Sequence, residues 1–176
     1  VNCVIALADS LIASDTLVGP GDTAEITISA TNSIPLRKIT IPISFSPEID
    51  ASVVGFSTAG WRTNYFEMQK LIGWDTAEVA YQLRSSNLGT SPDLPPGNGP
   101  ILKVRFAIPE SATGDDTLFV SLTGYSAFQP EFLGPLATYS ARIITGTVAI
   151  CPRRGDVNQS GGTNVIDVVY LVNYLF

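Results

Sequence analysis

Hydrophobic and polar positions alternate with a period of two along most of this chain. In Thr23-Ala24-Glu25-Ile26-Thr27-Ile28-Ser29-Ala30 the apolar residues occupy every second position, as on a strand with one face buried. Ile39 to Phe45, Ile101 to Ile108 and Thr117 to Leu122 repeat the pattern. Val1 to Ala8 reads as an opening strand and Ala141 to Ile150 as the last one. Shorter strands are predicted at Val53–Phe56, Met68–Trp74 and Val79–Leu83. Pro42 removes a ladder donor and predicts an edge or a bulge there. Ser85 to Pro100, rich in Ser, Gly, Pro and Asn, reads as a long loop. About nine short strands separated by turn residues predict an all-β antiparallel sandwich.

The pattern changes at the C-terminus. Val168, Leu171, Val172 and Leu175 fall at i, i+3, i+4 and i+7, and Val165, Val169, Val172 and Phe176 form a second stripe. That spacing predicts a helix, apolar over most of its circumference and too short to be stable alone. Such a helix must dock against another surface.

The segment before the helix carries candidate metal chemistry. Counting Asp156 as position 1, side-chain oxygens fall at 1 (Asp156), 3 (Asn158), 5 (Ser160), 9 (Asn164) and 12 (Asp167), with Gly161 at the sharp turn of position 6. Alternate oxygens at this spacing, with the Gly162 carbonyl at position 7, converge on one calcium ion. Two formal charges facing the ion predict a weak site of extracellular grade.

This loop and helix, Gly155-Asp156-x-Asn158-x-Ser160-Gly161-x-x-Asn164-x-x-Asp167 running into Val168–Phe176, resemble one repeat of a type I dockerin. The resemblance implies two such repeats, each with calcium, that together bind a cohesin; the chain has only one. The body resembles a cohesin: Gly19-Pro20-Gly21-Asp22-Thr23, Ile43-Ser44-Phe45-Ser46-Pro47-Glu48, Gly99 to Phe106 and Ile144 to Ile150 occur in that order. That family implies a nine-stranded jelly-roll whose sheet face receives a dockerin. The exposed positions of strands near Ile39–Phe45 and Val79–Leu83 are the candidates for that face. The resemblances divide the chain into a cohesin-like body, residues 1–151, and a dockerin-like half module, residues 152–176. Val168, Val169, Leu171, Val172, Leu175 and Phe176 would then meet the cohesin-like domain of another copy or of a different protein. A receptor and a plug on one chain make a head-to-tail contact, which builds rings or filaments.

Composition narrows the function classes. The chain has 176 residues, net charge −6 and no histidine. The missing histidine removes His-based triads and most zinc sites, and the scarcity of basic residues argues against nucleic acid. No apolar run reaches membrane-spanning length. Cys3 and Cys151 would pair if the first and last strands lie side by side, in keeping with a secreted protein. The chain begins without Met, as a processed secreted form would. Asp75, Glu78, Asp93, Asp115, Asp116 and Glu131 include no pair that the sequence places across a cleft, so a non-enzyme is expected. Trp61, Tyr65, Phe66 and Trp74 lie close together and offer an alternative reading as a carbohydrate-stacking platform.

Overall fold

The computed structural model describes residues 9–45, 50–72, 78–85, 91–113, 117–124, 128–151 and 165–175. Among these, two β-sheets form a sandwich. The first sheet, in the order β12-β1-β3-β8-β5, contains β12 (Arg142–Ile144), β1 (Ser10–Ala13), β3 (Thr23–Asn32), β8 (Gly97–Ala107) and β5 (Ser52–Ser57). The second, in the order β11-β10-β4-β9-β13-β2, contains β11 (Thr138–Tyr139), β10 (Glu131–Leu133), β4 (Lys38–Phe45), β9 (Thr117–Ser121), β13 (Gly146–Ile150) and β2 (Thr16–Val18). The hairpin β6 (Glu67–Ile72) and β7 (Glu78–Arg84) joins this sheet through β7, which pairs with β4.

The alternation sets which residues face inward. Ala24, Ile26, Ile28 and Ala30 of β3 point between the sheets, as do Ile39, Ile41 and Ile43 of β4. They meet Val104 and Phe106 of β8, Tyr81 and Leu83 of β7, and Leu118 and Val120 of β9 in one continuous core. Each Ile, Leu and Val among them contributes roughly 1.5–3 kcal/mol by leaving water.

The sandwich closes where the chain changes sheets twice at one level. β1 belongs to the first sheet and β2 to the second, with Ser14 and Asp15 between them; β12 and β13 are divided in the same way at Thr145. The two crossings run parallel, β1 beside β12 and β2 beside β13. Asp15 Oδ1 accepts hydrogen bonds from the Thr147 backbone N–H (2.9 Å) and hydroxyl (2.8 Å), and Ser14 Oγ accepts one from Thr27 N (3.0 Å). A Cβ at Gly146 would collide with the Ser14 carbonyl, so only glycine admits so close an approach.

Several expectations need correction. The predicted last strand is two strands in different sheets. With that division, four short strands that the alternation did not indicate, β1, β2, β10 and β11, bring the count to thirteen among the described residues, and the predicted opening strand Val1–Ala8 lies outside them. Pro42 is not on an edge strand. It lies in β4 between residues 38–40, paired with β10, and residues 44–45, paired with β9, so β4 changes neighbours around the residue that cannot donate. The predicted loop 85–100 is shortened because β8 begins at Gly97.

The C-terminal segment is helical as expected: α1 spans Val165–Leu175. Val165, Ile166, Val168, Val169 and Val172 are 48% to 74% exposed.

Candidate functional site

The outer face of the second sheet is built from cross-strand rows. Pairing of β10, β4, β7 and β6 aligns Glu131, Thr40, Gln82 and Gln69 in one row. The neighbouring row aligns Leu133, Lys38, Arg84 and Glu67, and the row on the other side brings Pro42, Ala80 and Leu71 together. The face thus grades from charged through amide-bearing to apolar. These are the positions opposite Ile39, Ile41 and Ile43 in the alternation, so the pleat that buries the isoleucines turns this set outward.

A shallow groove of about 220 Å3 runs over these rows, lined by Lys38, Thr40, Leu71, Gln82, Phe128, Gln129 and Glu131. Thr40 forms its floor and is only 5% exposed. Lys38 Nζ lies 3.7 Å from Glu131 Oε2, and Arg84 Nε lies 3.5 Å from Glu67 Oε2, so two ion pairs flank the groove. At partly solvated sites each contributes at most about 1 kcal/mol, so their main effect is to orient side chains. Further along the same face Phe119 and Leu17 are 54% and 71% exposed, with Thr147 and Ala149 of β13 between their strands. Such a surface offers shape, amide hydrogen bonds and apolar contact to another protein.

The sequence-derived face near Ile39–Phe45 and Val79–Leu83 is brought together, since β4 and β7 are antiparallel neighbours. The central outward residues of β4, Thr40 and Pro42, are nonetheless buried, and accessibility passes to β6, β7 and β10. The contributions of β10, of Phe128 and of Gln129 escaped sequence reasoning. β10 is only Glu131-Phe132-Leu133, which carries no period-two alternation and is too short for a pattern to identify as a strand.

Asp156, Asn158, Ser160, Gly162 and Asn164, Cys3, Phe176, Trp74, Asp75, Asp115 and Asp116 lie outside the described residues. Asp167 falls in the first turn of α1. Cys151 follows β13, and its N–H donates to the Val18 carbonyl at 2.8 Å. Of the candidate acids, Asp93 pairs with Arg37 at 3.3 Å and Glu131 with Lys38. Among the described residues, Trp61, Tyr65 and Phe66 do not form one platform. Phe66 is buried in the core, Tyr65 packs edge-on against it at 5.2 Å, and Trp61 lies on the outer side of the first sheet.

The sequence matches no protein-family model and no curated protein. Solved structures do resemble the fold. The sixth cohesin of Acetivibrio cellulolyticus scaffoldin B, solved in complex with a Cel5 dockerin variant, aligns with TM-score 0.66 and 14% identity over 82% of this chain and 99% of that one. The OlpA cohesin of a type I cohesin–dockerin complex from Clostridium thermocellum gives 0.64 and 10% over 82% and 99%. A non-cellulosomal cohesin from the hyperthermophilic archaeon Archaeoglobus fulgidus gives 0.64 and 14% over 88% and 99%. The sandwich therefore has the fold of cohesin domains.

Proposed function

We propose that this chain is a non-catalytic protein–protein assembly module. The outer face of β6, β7, β4 and β10 receives a helix carried by another chain, and α1 is the plug that enters the equivalent face of a second copy. One observation carries the reading: α1 keeps five aliphatic side chains exposed on a chain whose body has the cohesin fold. A monomer rarely leaves such a surface to water unless a partner covers it. Two of the similar cohesins were solved in complex with dockerins, which supports a protein ligand for this face. Asp156, Asn158, Ser160, Asn164 and Asp167, with the Gly162 carbonyl, hold calcium and fix the start of α1. Plug and receptor differ, so the contact is heterologous and propagates into rings or filaments.

Light scattering in millimolar calcium and in chelator tests this. Association should appear with calcium and be lost in chelator and in Asp156→Ala. A protein that stays monomeric in both conditions overturns self-assembly.

A further inference from the structure

The first sheet carries a second groove, of about 330 Å3, on the side of the sandwich away from the face just described. It rests on two cross-strand rows: Thr27, Lys103 and Ser57 in one, Glu25, Arg105 and Gly55 in the next. Trp61 closes one end, with Lys103 Nζ 6.0 Å from its ring centroid.

The turn that carries Trp61 is built in place. Arg62 reaches across β3 and β8, donating to Ala30 O (3.0 Å), Asn32 Oδ1 (2.8 Å) and Pro95 O (2.7 Å). Arg62 N donates to Pro100 O at 3.1 Å, and the Thr63 hydroxyl donates to Ile101 O. Gly99 has φ +147°, and a Cβ there would stand 3.2 Å from Arg62 Cδ, so glycine leaves room for the arginine to cross. The aromatic ring is thereby held rigidly over a polar sheet surface.

The polar groups beside the ring are unequal. Lys103 Nζ bonds Glu25 Oε2 at 2.9 Å, giving a neutral pair that offers both donors and an acceptor. Arg105 makes no ion pair among the described residues. Its guanidinium lies over Gly55, where a Cβ would come within 2.8 Å of Nη2. One uncompensated planar cation thus stands in the groove of a chain whose net charge is −6.

We propose that this groove binds an acidic saccharide. A pyranose ring places its C–H face on Trp61 and shares its hydroxyls with the Lys103–Glu25 pair, and the carboxylate of a uronic acid unit takes the fork of Arg105. An aromatic face accepts any sugar ring, and a donor–acceptor pair suits vicinal hydroxyls. The unpaired guanidinium adds the requirement for a carboxylate, which it binds bidentately. The groove's size sits at the lower end of small-molecule sites, which span roughly 300–1,000 Å3, and fits one or two sugar units.

Calorimetry on the full chain with trigalacturonate, a neutral β-glucan trisaccharide and a glutamate oligomer tests the assignment. Trigalacturonate should bind saturably, and Trp61→Ala and Arg105→Gln should each weaken it roughly ten- to hundredfold while circular dichroism stays unchanged. Gly55→Ala, which displaces the guanidinium and leaves Arg105 in the chain, should weaken it too. In a Trp74→Phe background, where Trp61 is the remaining tryptophan, the acidic sugar should shift fluorescence. Equal binding of the neutral sugar refutes the role of Arg105, and equal binding of the glutamate oligomer reduces the site to a charge contact; either overturns the proposal. So does failure of the wild-type chain to bind trigalacturonate. Because the groove lies on the opposite sheet, these results are independent of calcium-driven association.

Discussion

Aliphatic residues meet opposite fates in the body and in the terminal helix. Ile26, Ile28, Ile39, Ile41 and Ile43 are completely buried between the sheets, whereas Val165, Ile166, Val168, Val169 and Val172 of α1 stay largely exposed. The difference lies in what opposes them. Two stacked sheets give every inward row a facing row about 10 Å away, and side chains from both interdigitate. An eleven-residue helix has no such second layer of its own. Residue type therefore does not report burial. Apolar surface that the fold consumes gives stability, and apolar surface that it leaves over is available for recognition.

The largest effect should come from the body. Phe106→Ala removes a fully buried ring and should cost about 3–5 kcal/mol in a denaturant titration. A smaller loss would mean that the two sheets can close over the cavity. Arg62→Ala should cost about 2 kcal/mol, because three backbone and side-chain acceptors of β3 and the β7–β8 connection lose a charged donor. If thermal melts show no change, the 58–66 turn is held by Thr63 and its backbone bonds alone.

Tyr81 should act in the other direction. Its hydroxyl is buried without a hydrogen-bond partner among the described residues, and its ring packs on Phe56 at 4.8 Å. Tyr81→Phe keeps the packing and removes the unsatisfied group, so stability should rise by about 1 kcal/mol. Burial also pushes the phenol pKa up to about 12. Tyr139 is raised as well, by burial first and then by its hydrogen bond to Asp9, at 2.6 Å. A phenol with a raised folded-state pKa stabilises fully below its ordinary value near 10 and loses that contribution as pH climbs toward the folded value. Alkaline unfolding should therefore begin above about pH 10 and be shallower in Tyr81→Phe.

The smallest effect on the body should come from the helix. Val168→Ser combined with Val172→Ser should change the stability of the sandwich by no more than about 0.5 kcal/mol, since both side chains are exposed, yet should abolish calcium-dependent association. A large loss of body stability from this pair would erase the contrast between the two regions.

Much of the sandwich was legible because its long strands alternate cleanly. β3, β4, β8 and β9 each carry at least two inward aliphatics at period two, and the predicted stretches coincide with the observed strands to within a few residues, apart from the start of β8. The short strands were not legible: β2 and β10 have three residues and β11 has two, and β2 and β10 are held by β13 and β4, which are distant in sequence. The candidate interaction face was half legible. Its β4 and β7 positions followed from the pleat, but the burial of Thr40 and the contribution of Phe128 did not. Of the aromatic cluster, the sequence placed Trp61 and Phe66 five residues apart and could not separate them, although one faces the outer groove and the other the core.

What the sequence determined by itself was local: the period-two strands, the apolar periodicity of α1, the spacing of oxygen-bearing side chains over residues 156–167 and the absence of histidine. These depend on residue identity and spacing along a few turns or pleats, where backbone geometry is regular. The tertiary structure alone decided which strands became neighbours, that β1–β2 and β12–β13 cross between sheets at one level, and that Glu25, Trp61 and Arg105 share a groove. Those groups are separated by up to 80 positions and meet only through strand pairing. Register is a cooperative property of two distant segments, so no window of sequence contains it.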